Sequence, residues 1–266
     1  PVQARMAGHP ETCGLPTIDD ILTSDLMEPD DAQAHYTERV VRLSGTGFYR
    51  YRPDFVPQQL QRADVGLSAG DTVFFYGHNI LKMRPAEDEL LPRIAEAVPT
   101  AKFCLIKDEH NVFWSRLDER LRQAFTARGL DHEAHIVWFP RLPTRQFQGL
   151  IHLSDIYLDC PAWNGDNITV DALMAACPTV SAPGPFMRAR HTLGFFKRMG
   201  LAHYICADLD DMVAFAAKLA HDPDLRAQMR DNIRDASDSL FTEEAALDDF
   251  ERYLRQRVAW TPAADS

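Results

Sequence analysis

What the chain lacks narrows its function first. Its 266 residues hold no apolar run of the roughly 18 residues that a membrane-crossing helix needs, so no membrane partner is expected. Basic residues are outnumbered: 28 Lys and Arg against 39 Asp and Glu leave a net charge of −11. A nucleic-acid groove needs a basic face, so nucleic acid is not an expected partner either. The acidic surplus reads as solubility, with Glu87–Asp88–Glu89 and Asp208–Asp210–Asp211 as acidic helix starts. Cysteine is scarce. Cys13, Cys104, Cys160, Cys177 and Cys206 form no CxxC pair and no Cys/His cluster at zinc spacing, so no metal is expected. Four of the five lie in apolar stretches, which fits inert thiols in a reducing cytoplasm. The absence of a GxGxxG turn argues against a nicotinamide-dependent dehydrogenase. The polar opening residues, with Arg5 and His9, do not read as a signal peptide. The chain opens on Pro1 rather than Met, so it is read as a region of something longer.

A hydrophobic content of 45% is enough to bury one large core or two modest ones. From about residue 70, strand-length apolar runs alternate with amphipathic stretches. The expected strands are Val73–Tyr76, Lys102–Ile106, Ala134–Phe139, Ile156–Leu158, Pro178–Ala182 and Tyr204–Cys206. The expected helices are Glu87–Ala97, Val112–Arg128, Thr144–Leu153, Val170–Ala176, Phe186–Met199, Met212–His221, Asp224–Asp238 and Glu243–Val258. Alternation of this kind predicts an α/β fold: a parallel sheet covered by helices on both faces, with right-handed crossovers, a Rossmann-like lobe. Ligands bind such sheets at the carboxyl ends of the strands, here the loops after Tyr76, Ile106, Phe139, Asp159 and Ala182. The first 60 or so residues differ. They are rich in Pro and Asp, read as one helical piece near Asp31–Leu43, and carry too few strands for a second complete lobe. Asp54–Asp71 reads as a polar linker.

Three segments carry chemistry. In the first, a strand ends at Asp159, a turn passes through Asn164 and Gly165, and a helix begins near Asp166 or Asn167. Helix starts offer free N–H groups and a partial positive charge, which suit a diphosphate. Asn167 and Thr169 can add side-chain donors, and Asp171, one turn in, can accept from a ribose hydroxyl. The plainer reading makes Asp166 or Asn167 a helix cap. In the second segment, Tyr76–Gly77–His78–Asn79–Ile80–Leu81–Lys82 follows a strand. Gly77 permits a tight turn, and Asn79 and Lys82 can reach phosphate oxygens; the plainer reading makes Lys82 a surface lysine. In the third, Arg188, Arg190 and His191 crowd the start of a helix, where cations oppose its dipole. They serve an anion, another lobe, or only the surface. His9 is a candidate acid or base, against the commoner structural role of a lone histidine.

Taken in order, these segments resemble the bacterial branch of the O-linked N-acetylglucosamine transferase family, the SPINDLY type. The resembling pieces are GHPETCGLPTID (8–19), AHYTERVVRL (34–43), YGHNILKMRP (76–85), SDIYLDCPAWNGDNITVDALMAACPTVSAPGPFMRAR (154–190) and MGLAHYICADLDDMVAFAAKLAHDP (199–223). The resemblance implies a GT-B-type fold of two facing Rossmann-like lobes. Residues 1–60 would be the tail of the N-terminal catalytic lobe and 61–266 the C-terminal nucleotide-sugar-binding lobe, with tetratricopeptide repeats upstream. It implies an inverting, metal-independent enzyme without a cofactor that moves a sugar, foremost N-acetylglucosamine from UDP-GlcNAc, to Ser or Thr of acceptor proteins. GDP-fucose is the other donor the family uses. By the same resemblance Lys82 neutralises the diphosphate and Asn79 touches it. Gly165 to Thr169, with Asp166, Asn167 and Ile168 between them, forms the diphosphate-binding helix start. Asp171 binds the ribose, the backbone at Leu142 reads the base, and Phe147 stands where animal members stack a histidine on the uracil. The sequence departs from the animal pattern at Asp166–Asn167–Ile168, where His-Thr-Thr is expected; Asp166 then faces a diphosphate with like charge unless it points away. This departure keeps an alternative open, a non-catalytic nucleotide-sugar-binding or protein-interaction module.

Overall fold

The computed structural model describes residues 2–6, 8–54, 56–108 and 112–257. Strands β1 (Ala4–Met6), β2 (Asp20–Ser24) and β3 (Arg39–Leu43) form a small parallel sheet in the order β1-β2-β3. The remaining elements are β4 (Thr72–Phe75), α1 (Leu90–Ala97), β5 (Ala101–Ile106), α2 (Trp114–Ala127), α3 (His132–His135), β6 (Ile136–Phe139), α4 (Thr144–Leu153), β7 (Ile156–Leu158), α5 (Asn167–Met174), β8 (Thr179–Val180), α6 (His191–Arg198), α7 (Leu209–His221), α8 (Pro223–Ala236) and α9 (Glu244–Arg257). The five strands β4 to β8 make a second, all-parallel sheet in the order β6-β5-β4-β7-β8. That is the doubly wound α/β architecture the alternation predicts.

The alternation of side chains along a strand divides the core in two. On one face Phe74, Phe103, Leu105, Ile156 and Leu158 pack against α1, α2, α6 and α7. On the other, Val73, Phe75, Cys104 and Tyr157 pack against α4 and α5. Full burial of a Phe contributes about 1.5–3 kcal/mol, and Phe74, Phe75 and Phe103 are each wholly buried. Local signals set the helix limits. Ahead of α2, the Asp108 carboxylate accepts the N–H groups of Val112, Phe113 and Trp114. Leu117, Leu121, Ala124 and Phe125 recur at helical spacing on its buried face. Gly129, at φ 71°, then lets Leu130 N–H return to the Phe125 carbonyl and close the helix.

Four expectations change. Ala134 and His135 belong to α3, whose capping residue Asp131 accepts the Glu133 N–H, so β6 starts only at Ile136. Tyr204–Cys206 is not a strand: Ala202–Tyr204 is a 3-10 turn, and Cys206 N–H makes one bond to the Ser181 carbonyl beyond the two-residue β8 before α7 begins. The helical piece expected near Asp31–Leu43 is a short 3-10 turn at Ala32–His35 followed by β3, because the β-branched pair Val40–Val41 favours the pleated sheet. The end of the last predicted helix, Val258, lies outside the described residues. The stretch expected as a linker is anchored along α4. Gln58 N–H bonds the Arg145 carbonyl, and a Cβ on Gly149 would stand 2.2 Å from the Gln58 carbonyl oxygen. The chain finally returns to the first sheet: α9 packs on β3 and inserts Tyr253 beside Leu22 and Leu43.

Candidate functional site

Strands β4 and β7 are neighbours, yet the sheet grows outward from them in opposite directions, through β5 on one side and β8 on the other. Connections that diverge this way open a crevice at the carboxyl ends of the strands. Two loops fill it, residues 76–82 and 159–166. In the first, Asn79 caps a 3-10 turn, Ile80–Lys82, by accepting the Leu81 N–H at 3.0 Å. The turn presents Lys82, whose Nζ crosses the crevice and donates to the Asn164 carbonyl at 2.8 Å. Burial lowers the Lys82 pKa, while Asp159 and Asp166 pull it back up.

The second loop is wound on Asp159, which is wholly buried. Its Oδ1 accepts the N–H groups of Cys160 and Gly165 at 2.9 Å, and its Oδ2 accepts the hydroxyls of Ser181 and Thr192 at 2.8 and 2.6 Å. A Cβ on Gly165 would come within 2.4 Å of Thr169 Oγ1 and 2.6 Å of the Tyr157 hydroxyl, so only glycine fits. This bracing aims the first turn of α5 into the crevice. Asn167 is exposed there. Thr169 is fully buried, with its hydroxyl shared between Tyr157 and Thr192, so it offers the crevice a backbone group and not the side-chain donor expected of it. Ile168 packs into the core beneath. Asp171 is half-buried, accepts from Gln148 Nε2 at 3.0 Å, and has its pKa raised to about 6 by burial. Asp166 makes no capping bond; its Oδ1 pairs with Arg50 Nη2 at 2.7 Å.

Beside Lys82 a cavity of about 300 Å³ is lined by Asn79, Leu142 and Phe147 together with His78, Lys107 and Arg141. Of the ten residues expected at the donor, Asn79, Leu142 and Phe147 line this pocket, whereas Lys82, Gly165, Asp166, Asn167, Ile168, Thr169 and Asp171 do not; Phe147 is fixed edge-on against Phe75. His78 is buried with Nδ1 unpartnered, and burial lowers its pKa, which keeps the ring neutral. At the other end Trp163 lies between cations: Lys82 Nζ is 5.8 Å and the Arg188 guanidinium 5.7 Å from its ring. The His9 ring, from the first sheet's side, is 5.3 Å away. Arg188 pairs with Glu11, and Arg190 Nε donates to the Met27 carbonyl at 2.9 Å. Both arginines thus contact the first-sheet region, at Glu11 and Met27. Arg50, Gln148 and Trp163 were missed as site residues. Arg50 and Gln148 act over 116 and 23 residues of sequence, which no local pattern reveals; Trp163 had a signal, its place in the turn before α5. Among the described residues no group of three or more His, Cys, Asp or Glu could hold a metal ion, and no helix is long and apolar enough to cross a membrane. Cys104, Cys160, Cys177 and Cys206 are buried, and burial pushes each thiol up to about 12.

The family model for glycosyl transferase family 41 matches residues 55–250. The chain belongs to that family. Among curated relatives, a probable UDP-N-acetylglucosamine–peptide N-acetylglucosaminyltransferase SPINDLY of Arabidopsis thaliana is 26% identical over 236 residues, which cover 88% of this chain and 25% of the relative. The chain therefore spans about a quarter of the length of such relatives. Among solved structures, an O-GlcNAc transferase variant of Thermobaculum terrenum superposes at a TM-score of 0.82 with 22% identity, covering 96% of this chain and 48% of that one. A sucrose-phosphate synthase of Thermosynechococcus elongatus gives 0.60 with 14% identity over 91% of this chain and 59% of its own. These likenesses identify the fold as GT-B.

Proposed function

We propose that this family 41 chain is the nucleotide-sugar end of a protein glycosyltransferase: residues 1–60 close the first catalytic lobe and 61–266 form the donor lobe. The donor is UDP-N-acetylglucosamine, the acceptor a Ser or Thr hydroxyl of a protein, and transfer is inverting and metal-independent. Upstream tetratricopeptide repeats and a cytoplasmic setting complete the reading. The observation that carries it is the Lys82 amino group, which donates to the Asn164 carbonyl three residues before α5 begins, beside a helix start that no side chain caps. As an acceptor hydroxyl displaces the diphosphate from the anomeric carbon, negative charge grows on the leaving oxygens. Lys82 and the first turn of α5 stabilise that charge without rearranging. The neighbouring cavity takes the base, with Phe147 against it, the Leu142 backbone reading it and Asn79 at the phosphates; Asp171, on α5 outside that cavity, accepts from the ribose. His9 faces the sugar end from the first lobe as a candidate acid or base. Asp166, the feature favouring a module that binds without catalysis, is paired with Arg50 and so does not by itself exclude a diphosphate.

Calorimetric titration with UDP and GDP tests this. The chain binds UDP in preference to GDP, and Lys82→Ala weakens binding about 100-fold, the scale of a hydrogen bond to a charged group. A preference for GDP moves the donor to GDP-fucose; unchanged binding in the variant removes Lys82 from the site. Because proximity of donor and acceptor across the cleft supplies much of the acceleration, and most of the first lobe lies outside this chain, the chain alone transfers little radiolabelled sugar. Robust transfer overturns that expectation.

A further inference from the structure

This inference rests on the donor reading above and concerns how a site with an aspartate at its mouth tolerates an anion. Asp166 directly precedes α5, with backbone angles φ −111° and ψ −85°, and its side chain makes no cap bond to the helix. An aspartate in that position ordinarily caps the helix by accepting its N–H groups. Here the carboxylate is turned to Arg50 Nη2 at 2.7 Å, which leaves the first turn of α5 uncapped by it. Arg50 comes from outside the second sheet, on the segment that follows β3. Its Nη1 donates to Thr46 Oγ1 at 2.9 Å, and its guanidinium lies 5.3 Å and 5.1 Å from the rings of Phe48 and Phe195. Its carbonyl accepts the Thr242 N–H at 3.1 Å, and Thr46 Oγ1 donates to the buried Glu243 at 2.6 Å. Two segments distant in sequence, residues 44–50 and 241–246, therefore hold Arg50 in place: one bonds its guanidinium through Thr46, the other its backbone and Thr46.

The electrostatics give that placement a purpose. Lys82 holds the carbonyl of Asn164, two residues before Asp166, and the Asp166 charge acts on both Lys82 and the buried His191. Anything bound at Lys82 feels the same charge. An unpaired carboxylate a few ångströms from a diphosphate would weaken its binding by about 10- to 100-fold at an effective dielectric near 20. We propose that Arg50 is a donor-positioning residue: it neutralises Asp166 and turns it off the start of α5, so that the helix N–H groups are free for the diphosphate.

A charge-removal double-mutant cycle tests this on the 266-residue chain, titrated with UDP and GDP by calorimetry. Arg50→Met keeps the apolar stem against Phe48 and Phe195 and removes the charge; it binds about 30-fold more weakly than the wild type. Asp166→Asn binds at least as tightly as the wild type. The double variant Arg50→Met with Asp166→Asn recovers to within about threefold of Asp166→Asn, a non-additivity that a merely structural arginine would not produce. Wild-type affinity in Arg50→Met overturns the proposal, and so does a double variant as weak as Arg50→Met, since the arginine would then serve the phosphate itself or the fold. Where thermal melting finds Arg50→Met unfolded, Asp166→Asn decides alone, and weakened binding there overturns the proposal. Failure of the wild type to bind either nucleotide overturns the donor reading instead, so the two failures are distinct.

Discussion

The two parallel sheets are stabilised by different physics. The second is covered on both faces, and its strands are nearly pure hydrocarbon: Phe74, Phe75, Phe103, Tyr157, Ile156 and Leu158 lose all contact with solvent. The first has three short strands and buries acids among them. Asp20 is wholly buried and bonded by Arg39, Tyr253 and Arg257. Burial pushes its pKa up, but these three hydrogen bonds outweigh that and hold it below the ordinary value. Glu38, also wholly buried, accepts from Thr12 and from the Cys13 N–H, and its pKa is lowered to about 2 because those bonds overcome its desolvation. Apolar burial thus dominates the large sheet, whose buried acid Asp159 lies at the strand end, while the small one adds to its apolar core buried acids matched to polar partners from distant parts of the chain. The first kind of sheet is written in local runs of sequence and the second is not.

The largest expected effect breaks the larger sheet. Phe74→Ala opens a cavity between Phe103 and the helices and lowers unfolding stability by about 3–5 kcal/mol, read from urea denaturation; a loss under about 1 kcal/mol would mean that the core collapses to fill the space. A smaller effect bears on the site the large sheet carries. On the proposed ribose contact, the Asp171 carboxyl, raised to about 6 by burial, accepts a hydroxyl more strongly as the carboxylate than as the neutral acid. UDP affinity therefore falls, by about tenfold, as pH drops from neutrality through 6, and the dependence disappears in Asp171→Asn. The stability of the free chain moves the other way. A carboxyl whose folded pKa is raised stabilises the fold fully below its unfolded value of 3.8, and this contribution is lost as pH rises through about 6. Opposite pH slopes for binding and for melting are the signature sought; parallel slopes would move the ribose contact elsewhere. The smallest effect sharpens the account of the first sheet. Tyr253→Phe removes one of three bonds to Asp20 and costs about 1 kcal/mol at neutral pH. A negligible loss would show that the two arginines satisfy the carboxylate alone.

Residue by residue, the site divides along the same line. The run that ends at Asp159, the turn through Gly165 and the helix from Asn167 are contiguous, so their chemistry is readable in order, as is Lys82 following a strand. Phe147 and Leu142 sit one strand away and were reached only through the family resemblance. Thr169 was misjudged as a side-chain donor because the register of one helical turn decides whether a hydroxyl faces the crevice or Tyr157. The 3-10 turn at Ala202–Tyr204 was misjudged because an apolar tripeptide fits a strand or a turn until its neighbours are known.

The sequence by itself determined the doubly wound sheet, the loops that line its crevice and the family, because hydrophobic periodicity and contiguous motifs are local properties of the chain. Only the tertiary structure decided that Asp166 is paired, that Arg188 and Arg190 join the first-sheet region to the second, and that Asp20 and Glu38 are satisfied where they are buried. Those outcomes depend on groups brought together across many residues, and the energy of a charge is set by what stands next to it in space.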